Sequence, residues 1–446
     1  MDKKIGLVSL GCPKNLVDSE LMLGALKASG YEIVTNSGEA QIIIVNTCGF
    51  IESARQESIN MIIEMAALKK QSCELLIITG CLAERYKQQI MDEIPEVDAV
   101  LGTGSYDKIV SVINEVYKGA HPGIYGKLEG TEYLEGERII STGKGYAYLK
   151  IAEGCDNHCT YCVIPSLRGR FRSRKKEDIF QEAVRLAASG VKEIILVAQD
   201  TTRYGIDLYG KKQLAELIRM LSEIEGIVWI RLLYCYPEEI DEPLIQEIIH
   251  NKKICKYLDI PIQHASDPIL KKMGRRGGRS DVSNLLDDLR SRIPGLVLRT
   301  TLIVGFPGET EDDFKILENF VDKYKFDRLG VFMYSREDDT SAAKMKDQIQ
   351  GQIKKSRYNK LMRLQLKIST GVNKSRLGKR YNVLVEGIAD DGIFYFGRSY
   401  AEAPDIDGLI YFVSNEPVEP GQIVQVEILN SDQYDLTGEV KNESAQ

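Results

Sequence analysis

Between Tyr146 and Arg336 six strand-like apolar runs follow one another: "YAYLKIAEGC", "VKEIILVAQD", "WIRLLYCYP", "YLDIPIQHA", "LVLRTTLIVGFPGE" and "RLGVFMYSR". Each but the last is followed by a helix-like stretch such as "KKEDIFQEAVRLAASG". Buried β-branched runs alternating with amphipathic stretches commit a chain to parallel strands joined by crossover helices. Six repeats are too few to close an eight-fold barrel, so the segment predicts a partial (βα)6 barrel, open on one side. The basic helical stretch "QIQGQIKKSRYNKLMRLQLKIS" after the last run reads as leading away from it.

The flanks differ in character. Residues 4–120 place three strand-like runs, "IGLVSLGC", "QIIIVNTCGF" and "LLIITGCLAE", between helical patterns, which predicts a doubly wound parallel α/β domain. Residues 129–145, rich in glycine and charge, read as a linker into a core spanning 141–372. From Asn373 to residue 441, apolar and polar residues alternate between Gly, Pro, Asn and Asp turns, as in a small antiparallel β-barrel. A length of 446 residues accommodates these three domains. No apolar run suits a membrane span, and the first residues enter a strand without a signal-peptide core, so a cytoplasmic protein without a membrane partner is expected. In that setting nine cysteines point to metal ligation or catalysis rather than disulfides, and four histidines weigh against a His-based centre.

"GCDNHCTYCVIP" puts Cys155, Cys159 and Cys162 into a C-x3-C-x2-C spacing with no fourth cysteine nearby. A structural zinc site needs four ligands, commonly two separated pairs. A four-iron four-sulfur cube takes one outer ligand per iron, so three thiolates leave the fourth iron open to a small molecule. These cysteines end the first barrel strand, the edge where βα barrels bind cofactors. Gly305 and Gly308 end the fifth strand, where glycine lets backbone approach a cofactor or simply makes a tight turn. Cys12, Cys48 and Cys81 each close one of the three N-terminal strands. In a parallel sheet those ends share one edge, so three further thiolates converge. Cys73, Cys235 and Cys255 fall outside both patterns and read as core residues.

The barrel motif resembles the radical S-adenosylmethionine (SAM) enzymes. The resemblance implies that SAM chelates the open iron through its amino and carboxylate groups and is cleaved to a 5′-deoxyadenosyl radical, with Tyr161 at the aromatic position that touches adenine. "SLGCPKN", "NTCGF" and "TGCLAE", together with a tail resembling a TRAM domain, make nearly the whole chain similar to the methylthiotransferase family. That similarity implies two 4Fe–4S clusters, one methyl-donating and one radical-forming SAM, sulfur carried on the open iron of the N-terminal cluster, and an electron donor such as flavodoxin or ferredoxin.

The family modifies either an adenosine of transfer RNA or an aspartate β-carbon of the twelfth small-subunit ribosomal protein. "CDNHCTYC", "LLYCYPEEI", "YLDIPIQHASDPILKKMGR" and "AEAPDIDG" resemble the ribosomal-protein branch, whose substrate is met free or in the small subunit. Charge agrees: from Asn373 onward six Lys and Arg face thirteen Asp and Glu, a balance of −7 equal to that of the whole chain. Such a module repels phosphates and attracts a basic protein, so transfer RNA is disfavoured. Against this stands "SLRGRFRSRKK", residues 166–176, readable as an RNA contact or as a solvated or cofactor-side basic loop. A cluster carrier and an RNA-binding module with structural clusters remain as alternatives from other classes.

Overall fold

A computed structural model describes residues 3–441. The N-terminal domain runs β1 (Lys4–Ser9), α1 (Pro13–Ala28), β2 (Glu32–Val34), β3 (Ile42–Thr47), α2 (Glu52–Ala67), β4 (Leu75–Gly80), α3 (Cys81–Tyr86), α4 (Gln88–Glu93), β5 (Ala99–Leu101), α5 (Ile109–Tyr117) and β6 (Gly123–Ile124). Its six strands form one sheet, ordered β2-β1-β3-β4-β5-β6 and parallel throughout. The three strands legible in sequence are its centre. The other three have two or three residues each, too short to show a period.

Side chains alternate between two apolar layers. Ile42 and Ile44 pack with Met22 and Leu26 of α1 and Ile109, Val112 and Ile113 of α5. Ile43 and Val45 pack with Ile62 and Met65 of α2 and Leu82 of α3. Helices therefore cover both faces, as a doubly wound sheet requires.

The stretch 129–145 is a strap rather than a free linker. Ile139 N donates to Glu20 O at 3.1 Å, and Arg138 pairs with both Glu20 (3.1 Å) and Glu182 (2.9 Å). Arg138 carries these ties, and Glu135 adds a pair to Arg174.

The central domain begins with β7 (Tyr146–Lys150), β8 (Ala152–Glu153), α6 (Ile164–Arg168), β9 (Arg172–Ser173), α7 (Lys176–Ala188), β10 (Glu193–Val197), α8 (Ile206–Tyr209) and α9 (Leu214–Ser222). It continues with β11 (Trp229–Leu232), α10 (Glu242–His250), β12 (Ile254–Asp259), α11 (Asp267–Lys272), α12 (Arg279–Arg292), β13 (Val297–Val304), α13 (Glu311–Tyr324), β14 (Arg328–Met333) and α14 (Gly351–Lys374). Six parallel strands in the order β7-β10-β11-β12-β13-β14 make the open barrel. Leu149, Leu196, Leu232 and Leu298 point outward under the helices.

Helix α14 does not lead away. Leu361 and Ile368 join this outer core, and Gln365 Nε2 donates to Phe326 O at 2.9 Å. Burying two such side chains contributes about 1.5–3 kcal/mol each, which outweighs the tendency of the helix's basic face to stay solvated. It is the missing sixth helix, delayed by a loop.

The third domain is a closed five-stranded barrel of β15 (Arg380–Ile388), β16 (Tyr395–Arg398), β17 (Ile410–Val413), β18 (Ile423–Ser431) and β19 (Leu436–Val440). Its pairings are antiparallel except β17 with β19, which run parallel, a departure from the all-antiparallel expectation. The connection 399–408, which carries "AEAPDIDG", enters the concave face of the open barrel. Ala401 and Ala403 pack there with Tyr146, Trp229, Tyr257 and Val297. Arg231 of β11 and Arg398 of β16 share Glu193 of β10 at 2.6 and 2.8 Å, all three fully buried. The small barrel thus fills the N-terminal end of the open barrel, and its 404–406 stretch reaches as far as Leu233 and Tyr234 beyond β11.

Candidate functional site

The C-terminal ends of β1, β3 and β4 carry Cys12, Cys48 and Cys81, and the structure brings them together. Gly11, at φ +94°, lies so close to the second loop that a Cβ there would meet Cys48 Cβ at 2.8 Å and Sγ at 3.1 Å. A Cβ on Gly49 would meet the Cys81 carbonyl at 2.9 Å. Only glycine permits both approaches. Asn15, one turn into α1, fastens the loops: its Nδ2 donates to Leu10 O at 3.1 Å and Thr47 O at 2.9 Å, and its Oδ1 lies 3.8 Å from Cys81 Sγ. Ser58 brackets Cys48, accepting from its N–H and donating to its carbonyl, both at 3.0 Å.

The second trio lies on the loop between β8 and α6. Cys162 N donates to Cys159 O at 3.1 Å, a tight turn that sets those two side by side, and Cys155 N donates to Gly169 O at 3.1 Å. Backbone N–H groups face two of the sulfurs, Asn157 N at 3.4 Å from Cys155 Sγ and Ile164 N at 3.5 Å from Cys162 Sγ. Tyr236 OH stands 3.8 Å from Cys159 Sγ. Tyr161 is half-buried and meets Phe306 edge-on with ring centres 6.4 Å apart. Phe306 belongs to the turn that also holds Gly305 and Gly308, so this turn reaches the loop through an aromatic side chain. A Cβ on Gly305 would meet Lys354 Cγ at 2.3 Å, and one on Gly308 would meet Lys272 Nζ at 2.1 Å.

Burial, reinforced by neighbouring thiols, pushes the thiols up: Cys48 to about 12, Cys155 to about 11, and Cys81 and Cys162 in the same direction. Metal-free, these thiols hold their protons at neutral pH, and a metal must displace them. Among the described residues no three His, Cys, Asp or Glu side chains gather to hold a single ion. Each trio suits a wider group in which every thiolate meets its own iron and one iron keeps a free corner. Gln199 Oε1 and Gln263 Oε1, just beyond the C-terminal ends of β10 and β12, are buried without a protein partner. Orphaned polar atoms at that edge are what a polar cofactor can satisfy. Cys73, Cys235 and Cys255 are buried elsewhere in the core.

The two trios adjoin. Cys81 packs with Val163 and Leu167, and Thr103 Oγ1 donates to Leu167 O at 2.6 Å. Beneath this contact lies a buried charged quartet of Asp18, Lys150, Glu153 and Arg168. Arg168 bonds Asp18 at 2.7 Å, Glu153 at 3.1 Å and Asn15 Oδ1, and Lys150 bonds Glu153 at 2.8 Å and Asp18. Burial opposes the charge on Glu153, but Lys150 and Arg168 hold its carboxyl down at about 2. At the other edge of the open barrel Glu337 accepts from Arg55, Arg85 (2.9 Å) and Glu52 N (3.0 Å). The N-terminal domain is therefore pinned at both edges across the C-terminal strand ends.

Sequence reasoning missed Asn15, Asp18, Lys150, Glu153 and Arg168. Each stands within about a turn of a cysteine motif, yet no spacing reveals that the first two meet the others. The basic stretch 166–176 is neither a solvated loop nor an RNA stripe. Arg168 and Arg174 are buried, Arg174 pairing with Glu135 (2.6 Å) and Glu182 (2.7 Å), and Arg172 bonds Gly130 O at 2.8 Å. Arg170, 3.5 Å from Asp156, and Lys175 are its exposed basic residues.

A cavity of about 300 Å³ opens beside the first trio, walled by Gly11, Cys12, Leu16, Tyr148, Leu233, Tyr234 and the 404–406 stretch. It is where all three domains meet.

Comparison with known proteins places this geometry. Residues 4–102 match the model described as Uncharacterized protein family UPF0004, 149–321 the Radical SAM superfamily and 377–440 the TRAM domain. The chain is 61% identical to the ribosomal protein uS12 methylthiotransferase RimO of Acetivibrio thermocellus and 54% identical to that of Clostridium kluyveri, over the full length of each pair. Against the enzyme of the same name from Clostridium tetani it is 50% identical over 99% of both chains. Among solved structures, the radical SAM methyltransferase TsrM of Kitasatospora setae, with cobalamin and a [4Fe-4S] cluster bound, superposes with a TM-score of 0.58 at 14% identity, over 86% of this chain and 81% of that one. That likeness is one of fold.

Proposed function

Because this chain belongs to the ribosomal protein uS12 methylthiotransferase family of radical SAM enzymes, we propose that its two cysteine trios together add a methylthio group to the β-carbon of an aspartate in that ribosomal protein. It is a transferase whose cofactors are SAM and 4Fe–4S clusters. Cys155, Cys159 and Cys162 hold the radical-forming cluster, and Cys12, Cys48 and Cys81 hold the second. When bound, the first supplies the electron that splits one SAM and the second offers the iron at which sulfur is held for methylation by another.

The protein's own residues position and shield. Tyr161, braced by Phe306, presents its ring where adenine stacks, and the Gly305–Gly308 turn backs it. The clamps at Arg168 and Glu337 hold the second trio beside the first. The cavity beside Cys12 receives the substrate side chain. Segments 4–120, 141–372 and 373–441 act as the sulfur-bearing, radical and docking domains.

The ribosomal protein is met free or in the small subunit, in the cytoplasm, and a flavodoxin or ferredoxin delivers the electrons. Among the described residues no helix is long and apolar enough to cross a membrane. Internal pairing of the basic stretch 166–176 counts against transfer RNA.

The observation that carries this reading is the packing of Cys81 against Val163, next to Cys162. The test is anaerobic incubation of the reconstituted protein with methyl-labelled SAM, sulfide, a reductant, the ribosomal protein and transfer RNA, followed by mass spectrometry of both. Label is expected on one aspartate-bearing peptide. Label on a transfer RNA adenosine instead would replace the substrate assignment.

A further inference from the structure

Lys14 is a buried cation with no carboxylate in contact among the described residues. It occupies the first turn of α1, which holds no acidic residue, two positions after Cys12. The side chain is 8% exposed, and among the described residues no carboxylate lies within 4.0 Å of its ammonium. A positive charge there faces the positive end of the helix dipole and has lost most of its water, two unfavourable placements at once. Nearby cations are treated otherwise, Lys150 and Arg168 each being neutralised by Asp18 and Glu153.

What Lys14 does touch is Tyr234, whose ring centre lies 3.2 Å from its Nζ. Tyr234 sits at φ +61°, a left-handed conformation that costs a non-glycine residue free energy. It is pinned there by Tyr234 N donating to Asp259 Oδ2 at 3.0 Å and by Thr201 N donating to Tyr234 O at 3.1 Å. Tyr234 and Cys12 are both walls of the 300 Å³ cavity. The one charged residue among the cavity's walls is Asp405, whose carboxylate accepts from Tyr148 OH at 3.1 Å.

We propose that Lys14 is the subsite for the carboxylate of the substrate aspartate. This rests on the reading of the chain as an aspartate methylthiotransferase. The carbon that reacts is bonded directly to that carboxylate, so an ion pair with Lys14 fixes the reacting carbon beside Cys12. A carboxylate entering a cavity that already holds Asp405 needs a countercharge, and Lys14, not itself a lining residue, supplies one from against the ring of Tyr234, which is. A neutral side chain gains nothing from it, so Lys14 selects for aspartate at the modified position.

The experiment compares anaerobic binding of two synthetic peptides spanning the target aspartate, one native and one with Asn at that position, to the cluster-reconstituted full chain. The unchanged protein should bind the native peptide about tenfold or more tightly than the Asn peptide. Lys14→Met should bind both alike, at the level of the Asn peptide, and Lys14→Arg should keep the preference. Retained preference in Lys14→Met overturns the proposal. Equal weakening toward both peptides, or loss of iron in Lys14→Met, also overturns it, because Lys14 would then serve the thiolates or the fold. If the unchanged protein fails to methylthiolate the ribosomal protein at all, it is the functional reading that falls.

Discussion

Cys81, where β4 gives way to α3 in the N-terminal domain, packs against Val163, the residue that follows Cys162 of the barrel motif. A chain separation of more than eighty residues is closed by one apolar contact, and the charged quartet beneath it fixes the angle. Arg168, like Lys150, holds Asp18 of the N-terminal domain and Glu153 of the central domain, and it also bonds Asn15.

Replacing Arg168 with Met should therefore leave Asp18 and Glu153 sharing Lys150 alone. Breaking a buried charge pair costs about 3–5 kcal/mol. Anaerobic urea unfolding should read that loss. A displacement of about 1 Å between reacting groups costs on the order of 100-fold in rate, so methylthiolation should fall further than SAM cleavage. Arg168→Lys should recover the charge but not the fork, restoring part of the stability and less of the coupling. Equal losses in the two activities would show that Arg168 does not set the spacing between the trios.

The trios themselves should separate by chemistry. Changing Cys155, Cys159 and Cys162 to Ala should halve the iron bound on reconstitution, from about eight to about four per chain, and abolish 5′-deoxyadenosine formation. Changing Cys12, Cys48 and Cys81 should halve the iron equally while SAM cleavage continues and sulfur addition stops. Iron analysis with chromatography of the nucleoside distinguishes them, and sulfur addition by the second variant would leave its cysteines with only a structural role.

The cysteine geometry was legible in sequence because strand ends are marked by both an apolar run and the residue that stops it. Cys12, Cys48 and Cys81 each followed such a run, and a parallel sheet leaves their ends one shared edge. Arg168 and Lys14 were not legible. Their partners lie far along the chain or are absent, and a charged residue beside a motif reads equally well as surface. Helix α14 was misjudged because its exposed face is strongly basic while its contact face rests on a few buried residues, Leu361 and Ile368 among them. The acidic tail was half legible: its acidity is real, but Glu402 and Asp407 are spent inside, Glu402 on Arg328 and Arg376 and Asp407 on Tyr257.

That internal use decides which acids can meet a basic partner. Asp405 and Asp407 brace Tyr148 and Tyr257, so reversing them would disturb the seating of the small barrel rather than test docking. Removing 373–446 would likewise uncover Trp229 and Tyr257 and unpair Glu193 from Arg398. Asp390, Glu416 and Glu419 are exposed in the turns of the same barrel. Changing these three to Lys should slow association with the ribosomal protein several-fold at low salt and flatten its salt dependence, with SAM cleavage unchanged. Stopped-flow association at two salt concentrations measures this, and an unaltered rate would move the docking surface elsewhere.

His264 supplies a dependence on pH. It follows β12, is 1% exposed, and its Nδ1 accepts from Ser266 N at 2.9 Å, which leaves the other ring nitrogen carrying the proton. Burial lowers its pKa from the ordinary value near 6.5 to about 3. The unfolded chain then takes up a proton below pH 6.5 that the folded chain refuses, so stability is full above 6.5 and is lost as pH falls toward 3. At pH 5 the loss from this residue should be about 2 kcal/mol, one and a half pH units at about 1.4 kcal/mol each. His264→Asn keeps an acceptor for the Ser266 N–H and cannot titrate. Urea unfolding of the metal-free protein between pH 7.5 and pH 5 should show a shallower acid limb in that variant by about this amount, and parallel limbs would mean that His264 protonates without unfolding its surroundings.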